Sequence, residues 1–164
     1  MRAATALVVS GPPAPELAAA LGEERAGAVR RVLLARTLAA AREHLARVAV
    51  AEALPEEDFG PGPLLLLRAL CPRLGAEHVG AALADLGAGC DAVYGPTLDG
   101  DWYLAGLAAP RAELLAGSPF AVAREHGLEV GLLRHERALR GPGDVAAFLA
   151  DPLTPGDVRA AISG

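Results

Sequence analysis

Apolar residues fall along this chain in two patterns, short continuous runs and longer stretches with helical spacing. Residues 5–9 form the first run and predict a buried strand. Residues 10–15, Ser-Gly-Pro-Pro-Ala-Pro, make a stiff loop whose prolines remove backbone donors. From residue 23 to 47, Val29, Val32, Leu33, Leu38 and Leu45 recur at helical spacing, with Arg25, Arg30, Arg36 and Arg42 facing elsewhere, so one long helix is predicted. Residues 48–51 read as a second strand. Residues 53–63 are a Pro/Gly-rich connection in which Glu56, Glu57 and Asp58 make a solvated face. Leu64, Leu65, Leu66 and Leu67 then read as a central buried strand.

The second half repeats the alternation. Residues 76–86 are predicted helical, with Val79, Leu83 and Leu86 on one side. Strands are predicted at 91–95, 102–107 and 129–133, and a short helix at 109–116. Two terminal helices follow, at 142–149 and after Thr154, which is read as N-cap with Pro155 at the first helical position and Asp157 at the third. Strands alternating with helices predict an α/β fold, a three-layer α/β/α sandwich on a mainly parallel sheet. With 164 residues and no long linker or repeat, residues 1–164 form one domain.

Composition narrows the chemistry. Hydrophobic residues make up 52% but aromatics only 4%, so Leu, Val and Ala must build the core. The formal net charge of −5 and the lack of any basic patch argue against nucleic acid as a partner. Every basic residue is Arg; Lys, Asn and Gln are absent. That removes Schiff-base and P-loop lysines, and leaves Arg, backbone N–H groups or a metal to hold any anion. Cys71 and Cys90 are too few for a disulfide framework and read as small buried or half-buried thiols. His44, His78, His126 and His135 lack metal-ligand spacing, and none of the serines sits in a Gly-x-Ser-x-Gly elbow. The short N-terminal apolar run fits neither a signal peptide nor a membrane span, so a cytoplasmic chain without membrane contact is expected.

Residues 95–107, Gly-Pro-Thr-Leu-Asp-Gly-Asp-Trp-Tyr-Leu-Ala-Gly-Leu, are the most informative stretch. They place Asp99 and Asp101 around Gly100 on a tight turn between two buried strands, at the kind of sheet edge where α/β proteins bind ligands. Asp99 is the leading candidate for accepting substrate hydroxyls; the alternative is turn capping through nearby backbone N–H groups. Asp101 either pairs with it on a metal or forms a salt bridge to an Arg. Trp102 and Tyr103 are core residues or a stacking platform. The candidate catalytic pair is thus Asp99 and Asp101, with Gly95, Pro96, Gly100, Trp102 and Arg140 as candidate substrate contacts.

These motifs resemble a family of small bacterial glycosyltransferases of the GT-A, nucleotide-diphospho-sugar transferase fold, of the arsenosugar-biosynthesis type. Residues 6–9 match its first strand. Residues 64–74, Leu-Leu-Leu-Leu-Arg-Ala-Leu-Cys-Pro-Arg-Leu, match its strand ending in Gly-Thr-Asp-Cys-Pro-x-Leu. Residues 95–107 match Gly-Pro-x-x-Asp-Gly-Gly-Tyr-Tyr-Leu-x-Gly-Leu, and residues 139–145 match Asp-Val-Asp-Thr-Pro-Glu-Asp-Leu. The resemblance implies a GT-A-like fold, a nucleotide-sugar ligand and Mg²⁺ or Mn²⁺ on carboxylates.

Several matched positions depart from the pattern. The first loop, residues 10–16, holds three prolines and no cation. Leu70 stands at the acid before Cys-Pro, Ala138-Leu139-Arg140 replaces Asp-x-Asp, the segment 118–126 is short, and Phe120 stands where Trp is common. A departing diphosphate needs a divalent ion or fixed cations. No metal ligands are therefore assigned, and Arg140 is the candidate cationic substitute. Three readings follow: a transferase-like protein with a degenerate metal and nucleotide site, a non-catalytic binding or partner protein, or an enzyme reusing the pocket without a nucleotide. An apolar patch over residues 118–126 would mark a homodimer or partner surface.

Overall fold

A computed structural model describes residues 3–56, 59–115 and 119–164. The expectations for Glu57, Asp58, Ala116 and Ser118, and for the Phe120 side chain, fall outside what is described. The leucine run becomes β3 (Leu64–Arg68), which pairs in parallel with β1 (Thr5–Val9). Its continuous hydrophobicity has a simple cause. Leu65 and Leu67 join a core with Val8, Val79 and Tyr103 on one face, while Leu64 and Leu66 join Tyr94, Trp102 and Leu114 on the other. A strand covered on both faces has no side left for polar residues.

The remaining strands are β2 (Val48–Ala51), β4 (Ala92–Pro96), β5 (Trp102–Leu107) and β6 (Val130–Leu132). The sheet order is β2-β1-β3-β5-β4-β6, with helices α1 (Pro15–Leu21), α2 (Glu23–Arg42), α3 (Ala76–Gly87), α4 (Pro119–Glu125), α5 (Pro142–Ala150) and α6 (Gly156–Ser163). After β1 the chain crosses to one side to form β2, then returns to form β3 on the other side of β1. The C-terminal ends of β1 and β3 therefore bound a topological switch point.

The expected α/β sandwich on a mainly parallel sheet is present, with one local reversal. β5 runs antiparallel to both β3 and β4. Only residues 97–101 separate β4 from β5, and a parallel crossover needs about a dozen residues or more. The long helix predicted over 23–47 is present as α2 and ends earlier than expected, and a short helix not predicted, α1, precedes it. Gly22, at φ +83°, ends α1 and opens α2, which stops at Arg42. The helix predicted at 109–116 is a 3₁₀ turn over Ala112–Leu115. Helix α4 had no helical signal in the sequence pattern; it packs Val122 against the Tyr94–Trp102 side of the sheet. Thr154 does not cap α6, which begins at Gly156 with Pro155 as its cap; its hydroxyl donates to the Phe148 carbonyl at 2.6 Å. Cys71 is buried and Cys90 half-buried, both as free thiols. Among the described residues, no helix is long and apolar enough to cross a membrane.

Candidate functional site

A cavity of about 440 Å³ opens at the switch point. Val9 to Ala14 from the end of β1, Leu17 of α1, Val29 and Leu33 of α2, and Leu70 and Leu139 give it a largely apolar lining. Arg30, Arg68 and Arg140 bring positive charge to the same space, and Glu16 lies on its wall. A wider apolar hollow at the opposite end of the sheet, beside His44, Leu83 and Leu86, has no such convergence of charged groups.

Each arginine is held differently. Arg30 was expected to face away from the helix's packed side; it is part-buried, and its guanidinium donates from Nε to the Ser10 carbonyl at 3.1 Å and from Nη2 to Ser10 Oγ at 3.3 Å. The first loop has no cation of its own, and α2 supplies one. Among the described residues, no carboxylate pairs with Arg30. Arg68 sits at the C-terminal end of β3. Its Nη1 lies 2.7 Å from Asp101 Oδ2 and donates to the Trp102 carbonyl at 3.1 Å, and its guanidinium carbon stands 5.1 Å from the Trp102 ring centroid. Such a cation over an indole face is attracted by the ring quadrupole.

Arg140 joins the two aspartates. Its Nη1 is 3.0 Å from Asp99 Oδ2 and its Nη2 2.8 Å from Asp101 Oδ2. The turn that offers these carboxylates is built from its own residues. The Thr97 N–H donates to the Asp101 carbonyl at 2.8 Å, the Gly100 N–H to the Thr97 carbonyl at 3.1 Å, and Gly100 adopts φ +87°, where a side chain would be strained. The Thr97 hydroxyl donates to Asp99 Oδ1 and accepts from the Asp101 N–H at 3.0 Å. Asp101 Oδ1 accepts from the Trp102 N–H at 2.9 Å. Burial pushes the Asp101 pKa up, but hydrogen bonds from Arg68, Arg140 and Trp102 outweigh it and hold the carboxyl below its ordinary value.

Of the sequence candidates, Arg140 alone lines the cavity. Asp99 and Asp101 stand behind it, paired to arginine. Among the described residues, Asp99 makes no backbone capping bond; its partners there are the Thr97 hydroxyl and Arg140. Trp102 is buried under Arg68, Gly95 and Pro96 are buried in β4, and Gly95 packs directly on the Tyr103 ring. Arg30, Arg68 and Ser10 were not anticipated. Position gave a signal for Arg68, since the residue closing a central strand reaches a switch-point crevice.

The donor set does not fit a divalent ion. All four oxygens of Asp99 and Asp101 are already engaged by hydrogen bonds or ion pairs, three of these contacts coming from guanidiniums, and Leu70 offers no oxygen ligand. Among the described residues, no three His, Cys, Asp or Glu side chains gather as a metal site.

A second charged cluster lies on the other side of the same turn. Glu136 forms an isolated bridge with Thr97, accepts from the Leu98 N–H at 3.1 Å and donates its own N–H to the Pro96 carbonyl at 3.1 Å. Its buried carboxylate sits 3.1 Å from His78 Nε2 and 2.6 Å from Arg134 Nε. His78 Nδ1 accepts from the Gly75 N–H at 3.1 Å, and its Nε2 faces Arg134 Nε at 3.0 Å as well as Glu136. Tyr103 meets the His78 ring edge-on at 5.5 Å and donates to the Arg134 carbonyl at 2.9 Å. Burial raises the Glu136 pKa, but hydrogen bonds from His78 and Arg134 outweigh that and lower it.

A bacterial family described as "Uncharacterized protein conserved in bacteria (DUF2064)" matches residues 35–121. No curated protein matches the chain. A solved structure from Desulfovibrio desulfuricans G20, provisionally assigned as a nucleotide-diphospho-sugar transferase, superposes with a TM-score of 0.76 at 18% identity, over 99% of this chain and 95% of that one. A hypothetical transferase structure from Thermus thermophilus gives a TM-score of 0.42 at 16% identity, over 82% and 93% of the respective chains. At such identities the first likeness establishes the fold, and function has to be argued from the site.

Proposed function

We propose that this chain, which belongs to the DUF2064 family, is a nucleotide-diphospho-sugar transferase-like protein whose switch-point cavity takes a phosphorylated ligand of nucleotide type. One observation carries the reading: Arg30, Arg68 and Arg140 converge on an apolar cavity of about 440 Å³ at the C-terminal ends of β1 and β3. Apolar walls suit a base or sugar face, and planar guanidiniums suit phosphate oxygens, which they bind bidentately. The fold shared with the Desulfovibrio structure supports the nucleotide-sugar class. Thermal unfolding with nucleosides, nucleoside diphosphates and nucleotide sugars tests the reading, because a ligand that binds only the native state raises the melting temperature. Diphosphates are expected to raise it, the matching nucleosides less, and Arg30→Ala to remove most of the rise. No rise with any phosphorylated compound refutes the proposal.

A second reading, binding without turnover, draws on one feature of the turn. Asp99 and Asp101 are both engaged by arginine, so neither offers an unpaired base to an acceptor hydroxyl. A nucleotide sugar that raises the melting temperature yet releases no nucleoside diphosphate over hours would favour it; steady release would favour transfer.

A further inference from the structure

We infer that Arg140, with Arg68, stands in the position of a divalent cation, so that the pocket engages a diphosphate without metal. The inference rests on the phosphorylated-ligand reading above and adds how the charge is met. A divalent ion at such a site bridges carboxylates on its protein side and turns its remaining positions to phosphate oxygens. Arg140 does the first of these with N–H groups. One terminal nitrogen holds Asp99 at 3.0 Å and the other holds Asp101 at 2.8 Å. A guanidinium has five N–H donors, so two carboxylate contacts leave donors over for a ligand.

Arg68 completes the equivalence. It lies 2.7 Å from the same Asp101 oxygen that Arg140 engages, so two unit charges gather on one carboxylate oxygen. Their sum equals the formal charge of one divalent ion. Both arginines line the cavity and the aspartates do not, so the charge presented to a ligand is positive. Leu70 lines the same cavity with a hydrocarbon side chain. A divalent ion entering here would meet two guanidiniums at close range and would have to displace them from their carboxylate partners.

Manganese paramagnetic resonance and pyrophosphate stabilisation test this on the intact chain. The free Mn²⁺ signal is expected to stay undiminished on adding the wild-type protein, and pyrophosphate to raise the melting temperature equally in EDTA and in Mg²⁺. Stoichiometric Mn²⁺ uptake by the wild type, or a pyrophosphate effect that needs the metal, overturns the inference. The double variant Leu70→Asp/Arg140→Ala clears the cation and adds an oxygen ligand, and is expected to take up Mn²⁺. A folded double variant that takes none also overturns it. If that variant fails to fold, the two wild-type measurements decide. Should pyrophosphate and every nucleotide leave the wild type unmoved, the ligand reading falls, while the Mn²⁺ measurements still judge the cation replacement separately.

Discussion

Two acid–base clusters share one turn, and burial separates their roles. On one side, the Glu136 carboxylate is 7% exposed and locked by His78 and Arg134. On the other, Asp99 is 50% exposed and Asp101 35%, paired to arginines that face a cavity. The bridge between Thr97 and Glu136 ties the two sides together. A buried carboxylate cannot exchange its partners for water, so it holds structure; exposed ion pairs contribute little to stability and can be traded for a ligand. The inner cluster is thus the mount, and the outer cluster the exchangeable surface.

The largest expected effect strikes the mount. His78→Leu leaves the Glu136 carboxylate one hydrogen bond short and orphans the Gly75 N–H. A loss of about 3 kcal/mol is expected, which for a chain of this size lowers the melting temperature by about 6–12 °C. Urea and thermal unfolding would measure it. A loss as small as that of a surface pair would erase the distinction between the clusters.

Acid pH probes both sides at once. Glu136 and Asp101 both have lowered folded-state pKa values. Their contributions are complete above the unfolded carboxylate values of about 4, and disappear as pH falls through the lower folded values. Stability is therefore expected to drop below about pH 4. Glu136→Gln should flatten that drop more than Asp101→Asn, because the exposed carboxylate is better screened by solvent. Equal flattening in denaturant titrations from pH 2 to 6 would count against the comparison.

How much of this the sequence disclosed follows the range of the interactions involved. The leucine run of β3 and the turn at residues 97–101 were legible because period and turn chemistry are local. The reversal of β5 was also within reach, since the five-residue connection leaves no room for a crossover. Arg140 was singled out from a missing acid, and it does line the cavity. Arg30 was hidden because it acts across a packing contact, reaching Ser10 from a helix turn that looked solvent-facing. The His78–Glu136 pair was hidden for the same reason: the residues are 58 positions apart and carry no spacing signature. Thr154 shows the converse, a residue with good capping chemistry whose hydroxyl is claimed by the Phe148 carbonyl.

A smaller change sharpens the inner side. Tyr103→Phe keeps the ring against His78 and Gly95 and removes only the hydrogen bond to the Arg134 carbonyl. A loss of about 1 kcal/mol is expected by urea denaturation. Pyrophosphate should raise the variant's melting temperature as much as the wild type's, because Tyr103 does not line the cavity.

The smallest stability effect and the most discriminating binding effect belong to Asp99→Asn. Asp99 is half exposed and its ion pair with Arg140 is screened, so unfolding free energy should change by less than about 0.5 kcal/mol. Binding should move the other way from what a metal site predicts. If Arg140 is the cation that meets the diphosphate, Asp99 competes with the ligand for it, and removing the negative charge raises pyrophosphate affinity severalfold. If Asp99 instead helped to hold a metal that met the diphosphate, losing it would weaken binding by about 10-fold or more. Calorimetric titration with pyrophosphate separates the two by the sign of the change alone, and at nearly constant stability that sign cannot be ascribed to partial unfolding.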